Sequence, residues 1–236
     1  VNRILHIETA TDICSVALSE GDHILEFITI NEKNIHSAKL SLFIDELMKK
    51  SSTSYSELAA ISVSKGPGSF TGLRIGVSVA KGICFGLQIP LIAVNTLRSL
   101  VTALKREREL LNENICTLTD ARNNEVYFAV YNKNNKVLLE PEVGLLDSEK
   151  LKAFHQDSKL LFIGDGVEKW AEDYKNKEST ELLTKILPDA RNLIPLAWEK
   201  YQNKEFENLE YFEPYYLRDF KAKKVSLKIK KILNID

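Results

Sequence analysis

Lys65-Gly66-Pro67-Gly68-Ser69-Phe70-Thr71-Gly72-Leu73-Arg74-Ile75-Gly76-Val77-Ser78-Val79-Ala80-Lys81-Gly82 sits where an apolar strand, Ala59 to Ser64, turns into a helix of small and apolar residues running to about Leu87. Four of the ten glycines in the chain lie between Gly66 and Gly76. A backbone this permissive at a strand-to-helix turn either approaches something closely or folds tightly on itself. The first reading makes Gly66, Gly68, Ser69 and Thr71 a phosphate cradle at a helix N-terminus. The second makes them a turn that lets the helix pack closely. The run is not a Walker A loop, and it matches a dinucleotide fingerprint only as far as Gly66-x-Gly68.

Three strands stand upstream: Ile4 to Ile7, Ile13 to Leu18 and, after the Gly21-Asp22 turn, His23 to Ile30. His36-Ser37 opens a helix in which Leu40, Phe43, Ile44 and Leu47 share one face, while Leu42 and Met48 point elsewhere. Downstream, Pro90 to Val94 reads as a strand and Thr96 to about Leu111 as an amphipathic helix. The order β-β-β-α-β-α-β-α is that of a ribonuclease-H-like module.

After Asn112-Glu113-Asn114 the pattern restarts. Strands are expected at Ile115 to Leu118, Glu125 to Tyr131, Lys136 to Leu139 and Leu160 to Ile163, with a helix around Ser148 to Phe154. The expected fold is α/β, with two ribonuclease-H-like lobes in tandem and the second reduced. The expected division is residues 1–111, 112–190, a segment 191–220 that packs back on the lobes, and a lysine-rich tail, 221–236. That segment holds a helix from Asn192 to Gln202 and an extended run from Glu213 to Arg218.

Lys and Arg total 32 against 33 Asp and Glu, so no global field advertises a nucleic-acid or membrane partner. Cys14, Cys84 and Cys116 sit in separate apolar runs and read as buried, reduced thiols. Arg74, Lys81 and Pro90 interrupt the most apolar window, and Val1-Asn2-Arg3 leads straight into a strand, so the expectation is a soluble cytoplasmic chain without a leader.

Glu8, Asp12 and Asp120 fall at strand ends. They suit turn chemistry, or a divalent metal near a phosphate. His6, His23, His36 and His155 form no i, i+4 pair, no Gly-x-Ser-x-Gly elbow is present, and no metal or nucleophilic site is expected. The helix after the glycine loop carries Gly72, Gly76 and Ala80 four apart, with Gly82 and Gly86 as a second pair. Each interior glycine costs about 1 kcal/mol relative to alanine, and close backbone approach offsets it. An own sheet can bury only one side of a helix that is apolar nearly all round, so a partner chain is the favoured second surface.

Ile7-Glu8-Thr9-Ala10-Thr11-Asp12, the Gly66 to Gly76 run, Asp120-Ala121-Arg122-Asn123-Asn124-Glu125-Val126-Tyr127 and Pro214-Tyr215-Tyr216-Leu217-Arg218 stand in the order and spacing of one family. The chain resembles the TsaB (YeaZ) family of the bacterial tRNA threonylcarbamoyladenosine machinery. The resemblance implies an actin-like ATPase (ASKHA) fold and an origin shared with the catalytic paralogue TsaD, which modifies the adenosine next to the anticodon. TsaD carries two metal-binding histidines in a stretch of the form Val-Asn-His-Leu-Glu-Gly-His. Here Val94-Asn95-Thr96-Leu97-Arg98-Ser99-Leu100 places Thr96 and Leu100 at those positions, and neither suits such a metal. The resemblance therefore implies a non-catalytic subunit that pairs with TsaD, helps recruit the ATPase TsaE, forms a homodimer alone and meets tRNA only through the complex. It implies no intrinsic cofactor, with a nucleotide held, if anywhere, at the interface of the complex. The implied interface candidates are His36, Leu40, Phe43, Leu47, Gly72, Leu73, Gly76, Val79, Ala80 and Ile83. The rival expectation is an enzyme, either a metal-dependent glycopeptidase or an actin-fold phosphotransferase.

Overall fold

In a computed structural model of the chain, residues 2–154, 158–170 and 179–218 are described. His155 and the lysine-rich run at 221–231 lie outside them. The first sheet holds β1 (Arg3–Glu8), β2 (Ile13–Glu20), β3 (His23–Asn31), β4 (Leu58–Gly66) and β5 (Leu91–Asn95) in the order β3-β2-β1-β4-β5. β1, β2 and β3 form an antiparallel meander, and β4 and β5 add in parallel through the crossover helices α1 (His36–Lys50) and α2 (Phe70–Leu87). The strand period of two assigns the faces. Leu5, Ile7, Val16, Leu18, Ile61 and Val63 join the core under α1 and α2. Ile4, Ala60, Ile92 and Val94 face the other way, onto Leu193, Leu196 and Ala197. Burial on both faces explains why β4 and β5 read as nearly continuous apolar runs.

The second sheet holds β6 (Glu113–Asp120), β7 (Val126–Asn132), β8 (Val137–Gly144), β9 (Lys159–Ile163) and β10 (Thr180–Leu183) in the order β10-β9-β6-β7-β8. That is the order of the first sheet, read from its parallel edge. The duplication is therefore complete in strands, and the reduction lies in the helices: α4 (Ser148–Lys152) has 5 residues where α1 has 15. β10 escapes sequence reading because Thr180-Glu181-Leu182-Leu183 is too short to show a period.

The two lobes exchange helices. α3 (Thr96–Glu107) follows β5, but its Leu97, Leu100, Val101 and Leu104 pack with Ile115, Ala129, Tyr131 and Leu161 of the second sheet. α5 (Ile194–Gln202), entered through a 3₁₀ turn at Ala190–Leu193, returns to cover the first sheet. A cut at 111/112 thus separates the sheets but divides the core that α3 makes with the second. A buried polar relay seats the returning turn: Ser15 Oγ lies 2.7 Å from Thr29 Oγ1, which donates to Asp189 Oδ2 at 2.8 Å, and the Ala190 N–H donates to Ser15 Oγ at 3.1 Å.

Beyond α5 the chain straps the first lobe. The Glu207 N–H donates to the Leu91 carbonyl at 2.9 Å, the Tyr215 N–H to the Lys65 carbonyl at 2.7 Å, and Lys81 Nζ to the Phe212 carbonyl at 3.1 Å. The Tyr216 ring packs against Phe70 with centroids 5.0 Å apart and planes inclined at 38°, and Arg218 pairs with Glu125 of the second lobe. By length and composition, α2 alone among the described helices could cross a membrane. Here it lies on β4 and is tied to the strap through Arg74 and Lys81.

Candidate functional site

The glycine loop closes on the β1–β2 hairpin. A Cβ placed on Gly68, Gly72 or Gly76 would stand 2.3 Å from the Ala10 carbonyl oxygen, 2.1 Å from the Thr9 carbonyl oxygen and 2.2 Å from Thr9 Oγ1 respectively. The Ser69 N–H donates to the Ala10 carbonyl at 2.6 Å, and Ser69 Oγ accepts the Gly72 N–H at 3.3 Å to cap α2. Gly66 has φ +105°, and a Cβ there would lie 2.8 Å from the Tyr215 carbonyl oxygen of the strap. The hairpin and the strap therefore fill the space that a cradle of Gly66, Gly68 and Ser69 would give to a phosphate, and Thr71 faces outward on the first turn of α2. The geometry is that of the tight turn, and the Gly72–Gly76 face that sequence reading assigned to a partner packs on the chain itself.

Carboxyl groups stand at the end of β1 and beside the end of β6. Glu8 is buried, and its Oε1 accepts the Ala10 N–H at 2.7 Å while Oε2 has no partner among the described residues. Asp165, after β9, accepts the Asp120 N–H at 3.3 Å. Sequence reading did not single out Asp165, which follows the strand Leu160 to Ile163. Burial pushes the Glu8 carboxyl up to about 7. Burial, and then the charges of Asp120 and Asp12, push Asp165 up to about 7 against the hydrogen bond from the Asp120 amide. The Ala10 and Asp120 amides are used on carboxylates, and Lys33 and Lys169 pair with Asp12 and Asp120.

These two groups set a pH dependence. Both bind a proton more tightly in the folded chain than in the unfolded one, so stability falls as pH rises from the ordinary carboxylate range through about 7. Each tenfold difference in proton affinity between the two states is worth roughly 1.4 kcal/mol, so the melting temperature should fall by several degrees between about pH 5 and about pH 8. Thermal melts of Glu8→Gln/Asp165→Asn should show a much flatter profile. Burial of neutral His6 works in the opposite direction below about pH 6.5, so a double variant that keeps the wild-type slope contradicts the assignment.

The other candidate groups are held internally. Ser19 Oγ gives its proton to the Gly21 carbonyl at 3.0 Å, so His6 Nε2–H donates to Ser19 Oγ at 2.9 Å, and the pair is not a nucleophile with its base. Burial lowers the His6 ring to about 3. His36 Nε2 donates to the Ile13 carbonyl at 3.1 Å. The three thiols are buried and raised by burial, Cys14 to about 11 and Cys84 to about 12. Thr96 and Leu100 are buried, Leu100 in the core under the second sheet. Among the described residues no three His, Cys, Asp or Glu side chains converge as a metal site.

The open side lies on α1 and α2. Of the interface candidates, Leu40, Leu47, Leu73 and Ala80 are in the core, His36, Gly72 and Gly76 are buried, and only Phe43, Val79 and Ile83 are half-buried at its margin. Helical periodicity selected the core face of each helix. The opposite stripe of α2 carries Ser78, Gly82, Phe85 and Gly86. Phe85 is 72% exposed, and nothing lies within 4 Å of a Cβ built on Gly82 or Gly86. α1, packed against α2, adds Leu42, 59% exposed. The stripe, bordered by Val79 and Ile83, has Arg74 and Lys81 drawn toward the strap and leaves the Gly82–Phe85–Gly86 edge bare, a surface that admits close approach of another helix.

Residues 23–225 match the family model described as TsaD, tRNA N6-adenosine threonylcarbamoyltransferase. The tRNA threonylcarbamoyladenosine biosynthesis protein TsaB of Escherichia coli (strain K12) is 29% identical over 92% of this chain and 95% of its own length. That of Buchnera aphidicola subsp. Acyrthosiphon pisum (strain APS) is 30% identical over 86% and 91%. The solved structure of YeaZ from Pseudomonas aeruginosa superposes with a TM-score of 0.77 at 29% identity, covering 92% of this chain and 100% of that one. A fold-level likeness, TM-score 0.51 at 12% identity over 88% and 98%, links the two-lobed frame to an activator of 2-hydroxyisocaproyl-CoA dehydratase from Clostridium difficile.

Proposed function

Because the chain belongs to the TsaB (YeaZ) family of tRNA threonylcarbamoyladenosine biosynthesis proteins, within the wider family described by the TsaD model, we propose that it serves that pathway as a non-catalytic subunit. It pairs through the exposed stripe of α1 and α2 with the catalytic threonylcarbamoyltransferase and holds that enzyme in its active conformation. The contrast between the two sides of the molecule carries this reading. Around the glycine loop, the Ala10, Ser69 and Gly72 amides and the close-packed glycine positions are met by the chain itself. On the α1–α2 side, Leu42, Phe85 and the bare Gly82–Gly86 edge are open. The mechanism is a population shift: the subunit binds the competent state of its partner better than the incompetent one.

The transferase belongs to the same wider family, so a first lobe of the same build gives each partner a matching helix pair. The same stripe then supports a homodimer when the chain is alone. The pathway ATPase, TsaE, docks on the assembled pair, nucleotide is held by the partners, and tRNA is met through the complex in the cytoplasm. The test is co-purification with the transferase, alongside ATP turnover by the isolated chain. The expected result is a stable complex and no turnover above background. Magnesium-dependent ATP hydrolysis that is lost in Glu8→Gln would instead favour the phosphotransferase.

A further inference from the structure

A second feature lies at the carboxyl ends of β4 and β5. β4 passes into α2 on one face of the sheet, and β5 passes into α3, which leaves toward the face covered by the Ala190–Leu193 turn and α5. Connections that part in this way leave a crevice at the strand ends, the general position of ligand sites in open α/β sheets. Here the crevice is a recess of about 160 Å³. Its inner wall is Lys65 from β4, Asn95 from β5 and Arg98 from the first turn of α3, and its rim is Glu199, Lys200 and Glu205.

The charges of the recess are unevenly matched. Lys200 pairs with Glu205 at 3.6 Å. Lys65 and Arg98 are half-buried, and neither has an ion-pair partner among the described residues. The Arg98 Nε–H is buried with no acceptor, and a buried donor left unpaired is unfavourable until something accepts from it. Asn95 Oδ1 accepts the Arg98 N–H at 3.0 Å, which fixes the start of α3 and brings its positive end to the same wall.

We propose that this recess binds one small oxyanion, a carboxylate or a monophosphate, between the Lys65 ammonium and the Arg98 guanidinium. Guanidinium offers such a group two parallel donors, and the ammonium adds a point charge. The volume admits a single small group. The rim glutamates, with Glu207, Glu210 and Glu213 on the strap, repel a polyanion such as an RNA strand. This site does not depend on the subunit role proposed above.

The experiment titrates the full chain with inorganic phosphate and, separately, with acetate at constant ionic strength. The readout is the amide shifts of Asn95, Thr96 and Arg98 in ¹H–¹⁵N spectra. Saturating shifts are expected, and the anion that saturates at the lower concentration identifies the group. Arg98→Gln and Lys65→Gln should each weaken binding by about tenfold or more, while Glu199→Gln, which removes a rim charge, should tighten it severalfold. The amide spectra also report whether each variant is folded. Shifts that stay linear in anion concentration, or saturating shifts that survive both cation variants, overturn the proposal.

Discussion

Replacing Gly72 by valine lowers the melting temperature by roughly 10 °C or prevents folding. The position would put a Cβ 2.1 Å from the Thr9 carbonyl oxygen, which belongs to backbone at the end of β1 and cannot swing aside. Overpacking of a tight site typically costs about 1–3 kcal/mol, and more where the obstacle is backbone. In a chain of this size each kcal/mol moves the melting temperature by about 2–4 °C, against a total stability on the order of 5–15 kcal/mol. Gly76→Leu should behave alike, since Thr9 Oγ1 stands 2.2 Å from its Cβ position. The opposite sign is expected further along the same helix. Gly82→Ala meets nothing within 4 Å and should gain up to about 1 kcal/mol from helix propensity alone. Calorimetric melts of the three variants check this. A Gly72→Val chain melting within about 2 °C of wild type would contradict the close packing of loop and hairpin.

Phe85→Glu should leave the fold intact and weaken association by about thirtyfold or more. The ring is largely in solvent, so its removal takes little from the core of the isolated chain. Buried against a partner, an aromatic side chain at the centre of a patch is worth about 2 kcal/mol or more, and a carboxylate in its place adds a desolvation cost. Leu42→Glu on the neighbouring helix should act in the same direction with a smaller effect. Sedimentation of the chain alone and titration calorimetry with the transferase read both complexes. Unchanged affinity in Phe85→Glu together with Leu42→Glu would remove the α1–α2 stripe from the interface.

The fold was legible in the sequence because periodicity is a local signal. The meander before His36, the crossovers through α1 and α2, and the restart after Asn114 could all be read from spacing. The return of the 191–220 segment onto the lobes was expected, but the placement of α3 under the second sheet was not. An amphipathic helix reports that it has an apolar face, not which sheet that face covers, and Leu100 packs under the second sheet although it follows β5. Of the interface candidates, Leu40, Leu47, Leu73 and Ala80 are core residues, while Phe43, Val79 and Ile83 lie at its margin. The Gly82–Gly86 pair that the sequence displays is the edge of α2 left open, beside the exposed Phe85. Gly72 and Gly76 announced a close approach correctly, but the identity of the approaching group, Thr9, lies more than sixty residues upstream, as the sequence numbering shows. Asp165 comes to Asp120 only through the parallel pairing of β6 with β9.

The most direct test uses Gly82→Arg, which places a long charged side chain on the bare edge of α2 without touching the core. tRNA modification is measured in a mixture of the transferase, the ATPase, tRNA and the threonylcarbamoyl donor, with either the wild-type chain or this variant. The variant should melt at or slightly above the wild-type temperature, fail to associate with the transferase and give no more modified tRNA than a mixture lacking the chain. Modification at the wild-type rate with a folded Gly82→Arg chain would contradict the proposal that the α1–α2 stripe is where this subunit acts.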